Sequence, residues 1–591
     1  MENSTIKPWL KSYPTGVSST IKFDEFNSLV DMFEQTVERF HAKKAFTNFG
    51  VSLTFDQIQN KSSNLTAFLQ NELNLSKGSI VSIMMPNLLQ YPICTFGILK
   101  GGMIVENINP LYTERELETQ LNNSQSETII ILENFAHLIE KIIHKTNLKN
   151  IIITSVGEML GTKGILMNFV LRKIKKMVPK YNLKKYYKFS EIIDNHSKYQ
   201  LKEISLKLED IAFLQYTGGT TGVSKGAMLT HYNVLSNISQ IHEFMKILLK
   251  DKEEICITAL PLYHIFALVC NALVMFKMGA KNVLITNPRD MKGFVKELSK
   301  HKFSVITGVN TLFNGLINAD GFKGLDFTKL KVAFGGGMAV QKIVANKWKE
   351  VTGSPLSEGY GLTETSPVVT MNPLDGTDKI GTIGLPLPST NVKFIDDKNK
   401  EVKLGERGEL CVNGPQVMKG YWQRQNETSE VMLGDWLKTG DIAVMDKDGF
   451  IRIVDRKKEM ILVSGFNVFP NEVEHVISSH PKVLEVGVIG VPDKKTTEAV
   501  KAVVVKKDES LTDKEIVEHC KEKLTLYKCP KHVSIQDILD AITSFYDVKL
   551  TDLLSKRRHK SITVPRQVGM WLARKNTRFS LEEIGGYFGG R

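Results

Sequence analysis

The stretch Tyr216–Ala227, YTGGTTGVSKGA, directly follows the apolar run IAFLQ and decides the fold class of this chain. Small residues let a backbone approach phosphate groups closely, and successive amide groups can form an anion-binding nest. The hydroxyls of Thr217, Thr220 and Thr221 add donors or a magnesium contact, and Lys225 adds a mobile positive charge. A Walker A loop needs Gly-Lys followed by Ser or Thr, and Gly-Lys occurs nowhere in the chain. The stretch therefore predicts a phosphate-binding loop of another kind.

Apolar runs alternate with helical patterns from about residue 80. IVSIMM (80–85), TIIIL (128–132) and NIIIT (150–154) are typical of strands, and LLQYPICTFGILKGG between the first two is typical of a helix ended by glycines. This alternation predicts an α/β architecture with largely parallel sheets.

After about Asp455 the pattern changes. Helical patterns at 471–480 and 512–524 and strand-like runs at 484–491 and 499–506 predict a second, smaller α+β domain.

The length and composition of the chain limit the number of domains and the class of protein it can be. The 591 residues predict three or four domains, and 42% apolar with 24% charged residues is a globular composition. A net charge of +13 suits nucleotides, CoA, an anionic membrane or nucleic acid, and equally the background of a basic proteome. The six cysteines contain no C-x-x-C pair, and the N-terminus has no apolar signal core, so we expect a reduced cytoplasmic protein.

Two segments raise the question of a membrane. Cys256–Phe276 runs 21 residues without a formal charge, but Pro261 and Tyr263-His264 favour a buried strand followed by a buried helix over a span. Residues 171–189 carry eight Lys/Arg and no acid, with apolar side chains interleaved. That pattern fits either a solvated surface or peripheral contact with the inner membrane.

The loop at 216–227 resembles the phosphate loop of the adenylate-forming superfamily of acyl-CoA synthetases, luciferases and peptide-synthetase adenylation domains. Further matching motifs follow in order: LPLYHIFAL (260–268), GGGMAV (335–340), EGYGLTETSP (358–367), WLKTGDIAVMDKDGFIRIVDRKK (436–458) and SGFNVFPNEVE (464–474). SLVDMFEQTVERF (28–40), MMPNLLQYP (84–92), NPLYTERELE (109–118) and LITNPRD (284–290) resemble the bacterial long-chain fatty-acid–CoA ligases in particular.

The resemblance extends to about Pro530 and implies an adenylate-forming domain at 1–455, with parallel-rich sheets, helices and a small β-barrel. It also implies an α+β lid at 456–536. The implied reaction activates a long-chain fatty acid with ATP and Mg²⁺ to an acyl-adenylate, and CoA then displaces AMP. The family's enzymes are often dimeric, so a homodimer is a further expectation.

By resemblance, Thr220 and Glu364 would hold magnesium, Lys225 would contact phosphate and His264 would position the carboxylate. Tyr360 would stack on adenine, Asp441 would accept from the ribose hydroxyls, and Arg456 would reach ribose or phosphate. Asp455 fits a hinge that presents Ser464, Gly465 and Phe466 to CoA. The full implied set that contacts ATP or CoA is Tyr216, Thr217, Gly218, Gly219, Thr220, Thr221, Gly222, Lys225, Gly335, Gly336, Gly337, Glu358, Gly359, Tyr360, Gly361, Thr363, Asp441, Ile453, Arg456, Ser464, Gly465 and Phe466.

The resemblance ends near the C-terminus. The family's lid closes with a Pro-Lys-…-Gly-Lys-Ile-Leu-type motif whose lysine bridges carboxylate and α-phosphate, and YKCPKHVSIQDIL (527–539) departs from it. Residues 537–591 instead resemble the C-terminal DNA-binding domain of the replication initiator DnaA, through FYDVKLTDLLSKRR, PRQVGMWLAR and SLEEIGGYFGGR. That module would continue beyond Arg591 into its recognition helix, so we expect at most nonspecific DNA contact from the basic turn 556–560.

Three interpretations stay open. The chain is an acyl-CoA ligase impaired in adenylation, a noncatalytic chimera that contacts nucleotide and DNA, or a rearranged or artefactual reading frame. Lys528, Lys531 and Lys549 lie near the join, but none stands in the catalytic motif.

Overall fold

The structure, a computed structural model, describes residues 7–23, 25–194, 199–217, 224–463, 466–493, 496–508 and 510–536. Strands in these residues form four sheets. The predicted helical tail at 537–591 lies outside the described residues.

An eight-stranded sheet carries the strand that precedes the phosphate loop. Its strands, in spatial order, are Gly420–Tyr421, Gly226–Thr230, Ile211–Tyr216, Ile104–Asn107, Ile80–Met84, Thr128–Leu132, Asn150–Thr154 and Tyr187–Lys188. The six strands from Ile211–Tyr216 onward pair in parallel. Buried parallel strands favour continuous apolar runs, which is why TIIIL and NIIIT could be located from sequence.

A nine-stranded sheet carries the glycine-rich motifs. In spatial order its strands are Leu385–Pro386, Val368–Met371, Leu356–Gly361, Val332–Gly335, Val305–Gly308, Ile255–Thr258, Lys281–Leu284, Lys44–Asn48 and Val51–Thr54. The central strands are parallel, and antiparallel pairs complete both edges.

Helices connect these strands. The α-helices before residue 450 are Leu29–Phe40, Phe55–Asn71, Gln90–Lys100, Glu114–Ser124, Ala136–Ile142, Thr162–Phe169, Phe189–Ile193, His231–Met245, Val274–Lys277, Met291–Leu298, Asn310–Ile317, Lys342–Thr352 and Gln425–Val431, with π-helical turns at Val170–Ile174 and Ala267–Leu273. The helix after the phosphate loop begins with a capping box, because Thr230 accepts from the Asn233 amide at 3.1 Å and Asn233 accepts from the Thr230 amide at 3.0 Å.

A third sheet lies within residues 391–456, and the expected small β-barrel stays a prediction. The sheet contains the strands Asn391–Ile395, Gly408–Asn413, Trp436–Met445 and Met432–Leu433, and Ile451–Arg456 pairs with Trp436–Met445.

The chain divides into two compact units, one of residues 1–406, 410–439 and 444–452, the other of residues 407–409, 440–443 and 453–591. The domain boundary expected at residue 455 lies close to this division and stays a prediction.

The smaller unit has its own sheet and core. Its strands are Phe466–Val468, Ile461–Val463, Thr497–Lys506 and Val483–Asp493, and His532–Gln536 pairs in parallel with Thr497–Lys506. The helices Pro470–Ser478 and Asp513–Lys521 bury Val473, Ile477 and Ile516 in that core. The α+β pattern predicted after Asp455 is therefore confirmed in the described residues.

The apolar stretch 256–276 folds as predicted. The strand Ile255–Thr258 is followed by helical turns at Ala267–Leu273 and Val274–Lys277, and all of the turns' side chains are buried. Among the helices in the described residues, none is both long and apolar enough to cross a bilayer.

A buried carboxyl lies in the strand beside the phosphate-loop strand. Glu106 is fully buried and accepts hydrogen bonds from Ser82, from Ser124 at 3.1 Å and from Gln120 at 3.0 Å. Burial raises the pKa of this carboxyl to about 7, against the opposing effect of the hydrogen bonds. The folded protein therefore holds this proton to a higher pH than the unfolded chain does.

We expect Glu106→Gln to change the pH dependence of stability. In the parent chain, stability falls as pH rises from the unfolded pKa through the folded pKa, because the folded state must ionise a buried group. The amide cannot ionise. As pH rises from about 5 to about 8, the free energy of unfolding of the variant should therefore increase, relative to that of the parent, by on the order of 1–3 kcal/mol. Melting temperatures at both pH values measure this. Glu127→Gln, at an exposed ion pair with Lys149, is the control, and equal pH profiles for parent and Glu106→Gln would contradict the expectation.

Candidate active site

Some of the predicted site residues stand at the carboxyl ends of strands in the two large sheets. Val332–Gly335 and Leu356–Gly361 are neighbours in parallel register, which pairs Gly335 with Glu358. The strand Ile211–Tyr216 of the other large sheet ends directly before the loop. Carboxyl ends of such strands are the usual ligand sites of α/β sheets.

The phosphate loop is closed at its base as a tight hairpin. Tyr216 pairs with Gly226, the Thr217 amide donates to the Lys225 carbonyl at 2.9 Å, and the Ser224 hydroxyl donates to the Thr217 carbonyl at 2.6 Å. The predicted phosphate ligands Gly218, Gly219, Thr220, Thr221 and Gly222 lie outside the described residues. The structure thus fixes the two ends from which the loop leaves and returns.

Tyr216 has a structural role at this base. Its hydroxyl donates to Asn123 Oδ1 at 2.9 Å, and burial raises the pKa of the phenol well above its usual value. The ring packs against Ile104 and Leu214. Its side chain therefore holds the loop strand against the neighbouring helix.

Glu364, Tyr421 and Lys225 form a cluster beside the hairpin. The Tyr421 hydroxyl donates to Glu364 Oε1 at 2.6 Å, and the Lys225 ammonium lies 5.1 Å from the Tyr421 ring centroid. Burial and the Glu364 charge raise the pKa of Tyr421, so the phenol stays a donor. The strand Gly420–Tyr421 pairs with Gly226–Thr230, which brings a residue 57 positions away to Glu364.

Tyr421 was not identified from sequence. It stands in KGYWQR, where an aromatic residue after glycine carries no pattern of its own. Its role follows from its position in the fold, because the amide of Met418, three residues earlier, donates to the Glu364 carbonyl at 2.8 Å. Only the pairing of strands distant in sequence reveals the contact.

His264 follows the strand Ile255–Thr258. The residue is exposed, its Nδ1 accepts from the Phe266 amide at 3.3 Å, and neighbouring protein atoms lower the pKa of the ring by desolvation. With Nδ1 accepting, a neutral ring carries its proton on Nε2. The ring can therefore donate one hydrogen bond without carrying charge.

Buried amides hold the His264 loop in place. Asn87 donates to the Leu260 carbonyl at 2.8 Å and accepts from the Leu262 amide at 2.8 Å. Gln215 donates to the Tyr263 carbonyl at 2.8 Å and accepts from Asn107 at 3.0 Å. These contacts tie the loop to the strand that leads into the phosphate hairpin.

The predicted glycines divide into two groups. A Cβ at Gly359 would lie 2.2 Å from the Phe334 ring, and one at Gly361 would lie 1.9 Å from the Pro367 carbonyl oxygen. A Cβ at Gly335 would meet Val340 at 2.5 Å. These three positions need glycine for packing within the protein. A Cβ at Gly336 would lie 3.1 Å from the Phe266 ring, and one at Gly337, where φ is +77°, would lie 3.8 Å from Val309, so the backbone is less crowded at these two positions and could be approached by a ligand.

Glu358 is buried beside these glycines. Its carboxylate accepts from the Val340 amide, and burial nevertheless raises its pKa to about 8. The predicted adenine partner Tyr360 is half-buried in the same strand, paired with Thr370, and Thr363 begins the next 3₁₀ turn.

The smaller unit holds the predicted ribose residues. Asp441 is buried, and its Oδ1 lies 3.5 Å from Nε of the half-exposed Arg456. Asp455 is also buried and accepts from the Arg456 amide at 2.7 Å and from the Asn471 amide at 3.0 Å. Ile453 is half-buried. Ser464, Gly465 and the side chain of Phe466 lie outside the described residues.

The lysines before the departure from the family pattern are engaged elsewhere. Lys528 Nζ lies 2.7 Å from Glu472, and Lys531 forms an ion pair with Asp493. Lys528 is 13% exposed in its pair. Moving either ammonium to another site would require breaking its ion pair.

Comparison with known proteins places these observations in a family. Residues 33–422 match the AMP-binding enzyme family, residues 472–545 match the AMP-binding enzyme C-terminal domain, and residues 535–591 match the bacterial dnaA protein helix-turn-helix. The chain is 54% identical to the long-chain-fatty-acid–CoA ligase of Escherichia coli O157:H7, over 90% of this chain and 95% of the relative. It is 49% identical to the ligase of the same name from Haemophilus influenzae, over 90% and 95%.

Solved structures share the fold. An anthranilate CoA ligase in complex with anthranoyl-AMP superposes with a TM-score of 0.74 at 25% identity, over 86% of this chain and 93% of that one. A fatty acyl CoA synthetase of Mycobacterium tuberculosis superposes with a TM-score of 0.65, over 86% and 94%.

Proposed function

Since the chain belongs to the AMP-binding enzyme family, in the branch of the long-chain-fatty-acid–CoA ligases, we propose that its residues 1–536 carry the two-step, AMP-forming ligation of a long-chain fatty acid to CoA. In the first step a carboxylate oxygen attacks the α-phosphorus of ATP, and pyrophosphate leaves with the electron pair of the broken P–O bond. In the second step the CoA sulfur attacks the acyl carbon, and AMP leaves.

The observation that carries this proposal is the cluster beside the phosphate hairpin. Lys225, Tyr421 and Glu364 bring one cation, one hydroxyl and one carboxylate to the base of a glycine-rich loop. Such a set suits a polyphosphate, because charge develops on phosphoryl oxygens in the first step and fixed charges stabilise it.

Magnesium fits this cluster. Among the described residues the hydrogen bond recorded to the Glu364 carboxylate comes from Tyr421 alone, and that bond fixes Oε1. The proposed ligands are Glu364 and Thr220, and the bound ion would supply positive charge for phosphate oxygens. Mg²⁺ characteristically takes one or two carboxylates and completes its shell with phosphate and water.

Other residues position the substrates. His264 donates from Nε2 to the fatty carboxylate, and its lowered pKa keeps the ring neutral at neutral pH. Tyr360 stacks on adenine, and Asp441 accepts from the ribose hydroxyls, with Arg456 beside it. Residues 464–466 face CoA after a rotation at Asp455. A cytoplasmic location, a homodimer and peripheral contact of residues 171–189 with the inner membrane complete the proposal.

We further propose that the first step is impaired. The family's bridging-lysine motif is missing from YKCPKHVSIQDIL (527–539) and the residues after it, the match to the dnaA helix-turn-helix begins at residue 535, and Lys528 and Lys531 are held in ion pairs. A charge placed against a developing phosphoryl transition state contributes about 10²–10³-fold or more in rate.

The parent chain should therefore be slow in adenylation but not in thioester formation. We expect ATP–pyrophosphate exchange with oleate to be ~10²-fold or more below that of a chain in which residues after Gln536 are replaced by the corresponding segment of the E. coli relative. CoA thioester formation from supplied oleoyl-adenylate should differ by less than about tenfold. The same graft with its motif lysine changed to Met is the control. Equal exchange by the parent and grafted chains would refute the impairment, and loss of thioester formation by both would count against the ligase itself.

Glu364→Gln tests the metal site in the grafted chain. We expect exchange to fall ~10²–10³-fold and the Mg²⁺ concentration for half-maximal rate to rise, because the amide removes the charge that attracts the ion. Tyr421→Phe keeps the carboxylate and should lower the rate about tenfold or less, while Glu350→Gln, at an exposed position of the helix Lys342–Thr352, should leave the rate unchanged. An unchanged Mg²⁺ dependence in Glu364→Gln would exclude the proposed ligand.

The match at 535–591 favours a second, weaker activity. Lys556, Arg557, Arg558 and Lys560, outside the described residues, would contact DNA phosphates without reading bases. We expect gel-shift affinity to be equal for duplexes with and without an initiator box and to fall steeply with salt. The chain ended after Gln536 is the control, and preference for the box would contradict nonspecific binding.

A further inference from the structure

A buried carboxyl binds one side of the helix Glu114–Ser124. The Gln120 amide donates to Glu106 Oε1 at 3.0 Å, and the Ser124 hydroxyl lies 3.1 Å from Glu106 Oε2. All three side chains are buried, where a hydrogen bond is strong and an unpaired polar group is costly. The carboxyl therefore helps to determine how this helix packs on the strand Ile104–Asn107.

Residues at both ends of the same helix contact the phosphate hairpin. In the last turn, Asn123 Oδ1 accepts from the Tyr216 hydroxyl at 2.9 Å. Just before the first turn, the Tyr112 phenol faces the Ser224 hydroxyl. Tyr216 and Ser224 stand on the two arms of the hairpin, so a shift of the helix would displace both arms.

A row of hydroxyl groups leads away from the carboxyl. Ser82 Oγ forms hydrogen bonds with Glu106 Oε2 and, at 2.8 Å, with Ser126 Oγ. Ser126 Oγ lies 3.0 Å from the Thr128 carbonyl oxygen and forms the next bond. Three bonds thus lie in a row, and the two serines supply one hydrogen each. The third hydrogen comes from Glu106, whose neutral carboxyl completes the row.

Ionisation of Glu106 changes this pattern where the helix ends. A carboxylate only accepts hydrogen bonds, so it draws the Ser124 hydrogen to itself. That hydroxyl otherwise donates to the Leu121 carbonyl at 3.2 Å, and the row of hydroxyl groups also loses one of its three bonds. The affected turn contains Asn123, so the change reaches the contact with the hairpin.

The charge of an ionised Glu106 also acts on the hairpin. Burial and then this charge raise the pKa of the Tyr216 phenol, and burial, the Glu116 charge and the Glu106 charge raise the pKa of Tyr112. In the part of the chain that the structure describes, these phenols are the titratable groups that feel the Glu106 charge, and its hydrogen-bond partners are neutral side chains. A polyphosphate is anionic, so an uncharged Glu106 suits a bound nucleotide better. Burial raises the pKa of Glu106 to about 7, which leaves both forms populated near neutral pH.

We propose that Glu106 is a positioning residue for ATP, whose neutral carboxyl holds the helix Glu114–Ser124 and, through Tyr216, the phosphate hairpin in the arrangement that binds the polyphosphate. Loss of the carboxyl proton weakens that binding, so affinity for ATP falls as pH rises through the neutral range. Glu106 acts through its neighbours and touches no substrate. The inference rests on the proposed function, because it requires ATP at this hairpin.

Calorimetric titration of the full chain with Mg·ATP, without fatty acid, tests the proposal. From about pH 6 to about pH 8.5 we expect the Kd of the parent, divided by that of Glu106→Gln, to rise about fivefold or more. The amide can donate to Ser82 as the neutral carboxyl does, and it cannot ionise. Groups that titrate elsewhere affect both chains alike and cancel in the ratio. Glu127→Gln, at an exposed ion pair with Lys149, should follow the parent.

Tyr216→Phe distinguishes positioning from a general effect of the buried charge. The ring is kept and the bond to Asn123 is lost, so ATP should bind more weakly at both pH values and the rise in Kd relative to Glu106→Gln should shrink to about twofold or less. Melting temperatures at each pH confirm that every chain is folded.

Two results would overturn the inference while leaving the proposed function in place. One is an equal pH dependence of Kd in the parent and Glu106→Gln, and the other is a parent-like pH dependence in Tyr216→Phe. If the parent binds no ATP at any pH, the proposed function itself fails, and the inference fails with it.

Discussion

A chain of buried amides holds the candidate site together. Asn107 donates to Gln215, and Gln215 donates to the carbonyl of Tyr263. Asn87 donates to the carbonyls of Thr258 and Leu260 and accepts from the Leu262 amide. Each of these amide side chains is at least 96% buried, so each bond is made where no water competes for it. Two sheets are fixed to each other by these bonds, and the His264 loop and the phosphate hairpin take their positions from them.

Apolar strands and the domain change were predictable from sequence, and these amides were not. TIIIL and NIIIT bury every side chain but one of the ten, so their composition reports their environment directly. Gln215 and Asn107 stand at the ends of such runs, where a polar residue ordinarily indicates that the strand has reached solvent. Their partners come from other strands and loops, and no local pattern encodes a contact across 108 or 48 positions.

The glycines illustrate a different limit. By resemblance, Gly359 and Gly361 were expected to contact the nucleotide, and packing within the protein by itself already requires glycine at both positions. Tyr421 shows the reverse: it contacts Glu364 through a strand pairing, and its local sequence is unremarkable. A motif therefore locates a candidate site better than it assigns a role to each residue, because packing and ligand binding both select small residues.

The strand His532–Gln536 is the last strand of the smaller unit that the structure describes. It pairs in parallel with the central strand Thr497–Lys506, beside a core that contains Ile461, Val473 and Ile516. The site residues of the first step, Lys225 and Glu364, lie outside this unit, so a stable fold here is a separate requirement from reactivity. Cellular proteases degrade what unfolds, so they respond to stability and not to turnover. A change after this strand that removes turnover but leaves the strand's pairing in place would therefore not by itself bring degradation.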